Sequence, residues 1–329
     1  DALLLLGDIY LEWGWEDSTR YDEARLAYAK IMSSYGLENK ILFRMLKYFI
    51  RKNNPEEVAV LKKRFQQDKE IIVDPEAYAE LAGYQIDRHD TDDVQEILFR
   101  AKDVEESIPE IHYQMARLFN ITDEGEEEDK ALLNTLYYLN DIKTPGRRKI
   151  EIKIDTYRRQ GERFYIKEEY LHAEEVYHIG IDLLEESRAR DIIKGRGLVY
   201  GQLYADLGNI YYYISENPEN AMTQYEAAEN EGLYSPEIYY NKGNIRYRSG
   251  DFRQSLLEFY NSAGSFSVNT NLLYATGNTL FQRNDYFAAQ GYYNHLLDIL
   301  EQKISSEFSI RINEREDHRQ MVENLMKAY

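Results

Sequence analysis

Cysteine is absent from the 329 residues, which excludes disulfides, thiolate metal sites and cysteine nucleophiles. Proline is scarce, and the six present stand mostly where one pattern ends and another begins. Long apolar runs are missing: Leu3–Leu6 is four residues, far short of a membrane span. No alternating β-branched run suggests a strand. Positive charge is in deficit, with 40 Lys and Arg against 59 Asp and Glu, a formal charge of −19. Such a field repels phosphate backbones and anionic lipid, which argues against nucleic acid as a ligand. Catalytic signatures are also missing: no Gly-rich phosphate loop, no HExxH and no Gly-x-Ser-x-Gly elbow. The six histidines are scattered; His172 and His178 are six apart, off ligand register on a helix, and His112 occupies a packing position. The run Asp87-Arg88-His89-Asp90-Thr91-Asp92-Asp93 lacks the Gly and terminal Glu of a calcium loop and reads as a solvated turn and helix cap. No catalytic residue, cofactor or metal is expected.

What is present is a period. Gly243 is followed by Asn244, Gly250-Asp251-Phe252, Ser255, Phe259 and Ser262. Gly277, 34 residues later, is followed by Asn278, Asn284-Asp285-Tyr286, Ala289, Tyr293 and Leu296. The pattern returns at Gly208 (Ala221, Tyr225, Ala228), with one extra residue assigned to the Ser215–Asn220 turn. It returns again at Gly161 (Ala173, Tyr177, Gly180). At Ala82 and Ala116 the small position is alanine, and Pro75 and Pro109 open those units as first-turn prolines. Gly7, with Tyr21, Ala24 and Tyr28, starts the series. A degenerate unit follows at 39–68, interrupted by Asn53-Asn54-Pro55. Each unit is a helix pair, with small residues where helices approach closely and aromatics filling the space opposite.

This pattern resembles the tetratricopeptide repeat, with its Leu-Gly/Tyr…Ala…Phe signature at 34 residues. The resemblance covers nearly the whole chain and implies an all-α, right-handed superhelical solenoid of about eight helix pairs. The expected organisation is more degenerate repeats in 1–145, well-matched repeats in 146–303 and a capping helix in 304–329. Longer steps fall at Asp123–Asp129, at Thr144-Pro145-Gly146 and after Ala173, where a helix is expected to run through Ile181–Ile193. The acidic run Glu124–Asp129 reads as an exposed inter-helix loop. The first unit begins inside its own first helix, so the chain reads as part of something longer.

The candidate site lies on the first helices. Positions two before, one after and four after the small residue are spaced by three and share a helical face. In such arrays that face lines the concave groove. It carries Arg159 and Tyr165, then Asn209 and Tyr212, then Asn241, Asn244 and Tyr247, then Asn278 and Phe281. Amides can donate to and accept from peptide groups at once, and aromatics offer apolar pockets. Ala205, Asn271 and Ala275 stand where members that clamp carboxylate tails need Lys or Arg, so that clamp is not expected.

The expected function is a protein-interaction scaffold holding a peptide segment or partner protein in the groove. The alternative is the substrate-recognition arm of an enzyme whose catalytic domain lies elsewhere. In overall texture (acidic, free of cysteine, thirty tyrosines) the chain is similar to spirochaetal periplasmic tetratricopeptide proteins of the flagellar-motor collar. That likeness favours a periplasmic place in a larger assembly.

Overall fold

The structure is a computed structural model that describes residues 2–35, 39–67, 73–264 and 269–306, together with Glu323, Asn324 and Lys327. The expected capping helix at 304–329 lies almost entirely outside the described residues. Among them are sixteen α-helices, one π-helical turn and no strand.

The helices come in pairs: α1 (Ala2–Trp13) with α2 (Arg20–Tyr35), α3 (Asn39–Arg51) with α4 (Pro55–Gln67), α5 (Pro75–Ile86) with α6 (Val94–Val104), and α7 (Pro109–Ile121) with α8 (Gly125–Asn140). Then follow α9 (Arg147–Ile166), α10 (Tyr170–Ala189), and three further pairs, α11 (Leu198–Asn209) with α12 (Pro218–Asn230), α13 (Pro236–Arg248) with α14 (Phe252–Ala263), and α15 (Thr270–Gln282) with α16 (Tyr286–Ser306). By packing, the chain divides into two compact units, residues 1–163 and 164–329. Within each, a second helix packs on the next first helix, as α2 does on α3 and α14 on α15.

The small position works by volume. A Cβ on Gly277 would lie 2.6 Å from Tyr293 Cε1, and one on Gly208 would lie 2.8 Å from the same atom of Tyr225. Gly7 faces Tyr28 and Gly243 faces Phe259 in the same way. Where the small residue is Ala82 or Ala116, the residue sixteen further on is Leu98 or Leu132, and all four are buried in one cluster. Glycine thus pairs with a ring and alanine with leucine, so the distance between paired helices is kept while the residues change. The matching position of the second helix is also fully buried and small in five units, at Ala24, Ala173, Ala221, Ser255 and Ala289, while the Ala82 and Ala116 units bury Val94 and Glu128 there.

The turn inside most of the pairs is also repeated. Seven residues after the small position stands one residue with positive φ: His89, Asp123, Glu168, Gly250 and Asn284, with Glu216 eight after Gly208. The next N–H reaches back to close the helix end, as in Asp251 N to Arg246 O at 2.9 Å and Asp285 N to Leu280 O at 3.0 Å. The same residue then caps the second helix: Asp251 Oδ1 accepts from Gln254 N at 3.2 Å.

Four expectations change here. Asn53-Asn54-Pro55 is no interruption: Asn53 has φ 55°, Asn54 Oδ1 accepts from Glu57 N, and Pro55 opens α4. The small position of that unit is Leu46, seven residues before Asn53 and fully buried. The extra residue after Gly208 lies inside the helix, where Ile210–Ile214 forms a π turn with Ser215 N bonded to Ile210 O. The acidic run Glu124–Asp129 is the start of α8, where carboxylates meet the positive end of the helix dipole. Its Glu128 is buried, and Arg163 bonds Asp129 at 2.9 Å. Finally, α10 stops at Ala189, and Ile193 is buried in the following turn.

Candidate functional site

In the first unit the inward side of the first helices is filled by the chain's own charges. Glu80 on α5 is held by Arg51 on α3 at 2.6 Å and by Arg148 on α9 at 2.9 Å. Arg51 also pairs with Glu12, and Lys47 with Glu76. Both guanidinium groups lie 4.8 Å from the Trp15 ring centre. Burial would raise the Glu80 carboxyl, but Arg148, Arg51 and Lys47 outweigh it and hold it at about 2. A second node centres on Asp155, which accepts from Tyr113, Arg158 and Arg159. Arg159, a candidate from the sequence, is therefore tied to Asp155 at 2.8 Å.

In the second unit the expected asparagine ladder proves to be mostly internal. Tyr213 Oη donates to Asn241 Oδ1 at 3.0 Å, Asn241 Nδ2 donates to Tyr225 Oη at 3.0 Å, and Tyr225 Oη donates to Asn209 Oδ1 at 2.8 Å. Asn241 is fully buried, so both ends of its amide serve packing between repeats rather than an incoming peptide. Asn278 accepts from Tyr293 Oη at 2.7 Å and from Asn324 Nδ2 at 2.8 Å. The physical reason is angular. Positions −2, +1 and +4 spread over about 120° of helix circumference, so the −2 edge turns to the preceding pair and the +4 edge to the turn. The +4 rings accordingly meet neighbouring rings edge-on: Tyr165 with Tyr170 at 5.3 Å, Tyr247 with Phe252 at 5.5 Å, Phe281 with Tyr286 at 5.2 Å, and Tyr212 with Tyr213 at 4.7 Å.

What stays accessible is a patch between the π turn that continues α11 and helix α13. Tyr212 lies beside Asn244, Arg248 and Tyr240, and Tyr213 beside Glu237 and Tyr240. Glu237 also acts on Tyr165. Tyr213 is 48% exposed and Glu237 and Arg248 are exposed. Burial first, then Glu237 and the neighbouring tyrosines, push the Tyr213 phenol up to about 12 against the bond to Asn241, so it stays neutral near pH 7. Of the sequence candidates, Tyr165, Tyr212 and Asn244 meet here; Arg159, Asn241, Asn278 and Phe281 have the internal partners just described. Asn209 serves the Tyr225 relay and Tyr247 the Phe252 edge. Sequence reasoning missed Tyr213, Glu237 and Arg248. The only signal for Tyr213 was the spacing of 35 rather than 34, whose consequence is the π turn that carries it.

Among the described residues no group of three or more His, Asp or Glu could hold a metal ion, and no helix is long and apolar enough to cross a membrane. No protein-family model matches the sequence, and no curated protein matches it. Solved structures do. The pilF protein of Pseudomonas aeruginosa is 16% identical with a TM-score of 0.54, over 71% of this chain and 97% of that one. The Cut9–Hcn1 hetero-tetramer of the APC/C is 10% identical with a TM-score of 0.54, over 99% of this chain. The match spans 55% of the Cut9–Hcn1 chain's length. A TPR repeat-containing protein of Cytophaga hutchinsonii is 13% identical with a TM-score of 0.48, over 76% and 95%.

Proposed function

The chain has the tetratricopeptide-repeat fold, and from that premise we propose that it is a protein-interaction scaffold whose second unit grips an extended partner segment. The observation that supports this most is the patch of Tyr165, Tyr212, Tyr213, Glu237, Asn244 and Arg248, left accessible where the rest of the ladder is internally bonded. The neutral phenols of Tyr165 and Tyr213 beside the Glu237 carboxylate suit a partner side chain that is cationic, held by charge and by ring faces together, with Arg248 set on the Tyr212 side of the patch. Asn244 would meet a peptide group beside it. The acidic field supports a protein partner over nucleic acid. A place in a larger assembly, such as the collar that the sequence texture suggests, fits a scaffold of this kind.

Affinity capture with this chain, followed by titration of the captured partner, tests the reading. Tyr213→Ala with Glu237→Gln should weaken binding at least tenfold while helical content is unchanged. Unaltered affinity in that double variant would move the site away from this patch.

A further inference from the structure

Counted from the small position, residues −6, −2, +1 and +5 of a first helix recur at helical spacing and form one stripe along it. In the first unit, charges on this stripe pair across neighbouring first helices. Asp8 at +1 bonds Arg44 at −2 of the next pair, and Lys47 at +1 bonds Glu76 at −6 of the pair after it. Arg51 at +5 bonds Glu80 at −2, and Asp87 at +5 bonds Arg117 at +1. The register is thus visible: a +1 residue meets −2 or −6 of the next first helix, and a +5 residue meets −2 or +1.

In the second unit α13 carries opposite charges at the two ends of the same stripe, Glu237 at −6 and Arg248 at +5. Both side chains are exposed, and among the described residues neither has an ion-pair partner. Where the register would supply partners, none is charged. Glu237 would meet +1 of α11, which is Asn209, and that amide accepts from Tyr225 instead. Arg248 would meet −2 or +1 of α15, which are Ala275 and Asn278. The helix dipole welcomes an acid at its start and a base at its end, yet α11 and α15 carry neither in those turns. Between the two charges lie Asn241, sealed by Tyr213, and Asn244, hydrogen-bonded with Tyr212. Tyr213 stands beside Glu237 and Tyr212 beside Arg248, so each charge has its own phenol. The eleven residues from Glu237 to Arg248 put the charges about 16 Å apart along the helix.

We infer that the segment gripped by this patch is dipolar: an extended stretch with a basic side chain against Glu237 and, about five residues along at about 3.3 Å each, an acidic side chain against Arg248. The peptide groups between them pass Asn244. This rests on the patch reading proposed above and adds to it the acidic residue and its spacing.

The test titrates the full chain into fluorescent capped peptides of serine and threonine, each carrying one Lys and one Glu at separations of two to eight positions. Affinity should peak near a separation of five and fall at least fivefold at two and at eight. Replacing the peptide's Glu by Gln should cost at least fivefold with the wild-type chain and nothing with Arg248→Gln. Arg248→Glu should instead prefer a peptide with Lys at both positions; as Arg248 is exposed, helical content should stay the same in both variants. Affinity that ignores the separation, or a Gln peptide bound as tightly as the Glu peptide, would overturn the inference. The patch reading would survive that result if Tyr213→Ala with Glu237→Gln still weakened binding of peptides carrying Lys alone. No binding of any peptide, or binding of the Lys peptides indifferent to that double variant, would overturn both.

Discussion

At the scale of the residue, the fold depends on paired volumes. Gly243→Ala drives a methyl into the Phe259 ring and should cost about 1–3 kcal/mol in urea unfolding, the usual range for overpacking. Adding Phe259→Leu recreates the Ala82–Leu98 combination and should recover much of that loss; a double variant less stable than the single would refute the pairing. Glu80 makes a second prediction. Its folded carboxyl is depressed to about 2 from 4.5, so its contribution is complete above about 4.5 and is lost as pH falls through 2. Glu128 and Glu258, raised by burial, act in the opposite direction. Glu80→Gln leaves Arg148 without its carboxylate and Arg51 with Glu12 alone, and should cost about 3–5 kcal/mol at pH 7. Measured from pH 7 to pH 2, the gap between wild type and variant should narrow.

At the scale of the element, one turn design serves most of the pairs. Gly250 has φ 82°, so Gly250→Ala should cost about 1 kcal/mol through left-handed strain, read from the thermal midpoint. The acidic run gives a different test. Because Gly125–Asn140 is helical and Glu128 is buried, a Glu-specific protease should cut slowly between Glu124 and Asp129. Rapid cleavage there would contradict the helix start. The π turn is an irregular element with a consequence at the surface, since it carries the exposed Tyr213. Deleting Ile214 restores 34-residue spacing between Gly208 and Gly243 and should keep helicity while breaking the Tyr213–Asn241 bond.

At the scale of the whole molecule, charge sets behaviour. A net −19 should speed encounter with a cationic partner at low salt, and that advantage should fade once the screening length drops to about 10 Å near 0.1 M. Stopped-flow association across a salt series measures it. Glu237→Gln should act mainly on the dissociation rate, because one charge among 59 acidic residues hardly alters the long-range field.

The sequence by itself determined the helix pairs, because a 34-residue period of small and aromatic residues has few other packings. It also placed Gly7, Gly208, Gly243 and Gly277 at close helix contacts, since a small residue recurring opposite a ring is legible as spacing. Tertiary structure alone decided which polar residues remained free. Asn241 and Asn244 look alike in sequence, three positions apart. Yet the −2 position faces Tyr225 of the preceding pair and is sealed, while the +1 position is half-buried in Asn209, Asn244 and Asn278 alike. The first and last accept from Tyr225 and Tyr293, whereas the ring in the pair of Asn244 is Phe259, which has no hydroxyl to bond. The acidic run, likewise, reads as a loop in composition and becomes a helix start only once Arg163, 34 residues on, is folded back beside Asp129. Local pattern fixes the pairs; the fate of each polar side chain depends on its neighbours across repeats, which spacing does not name.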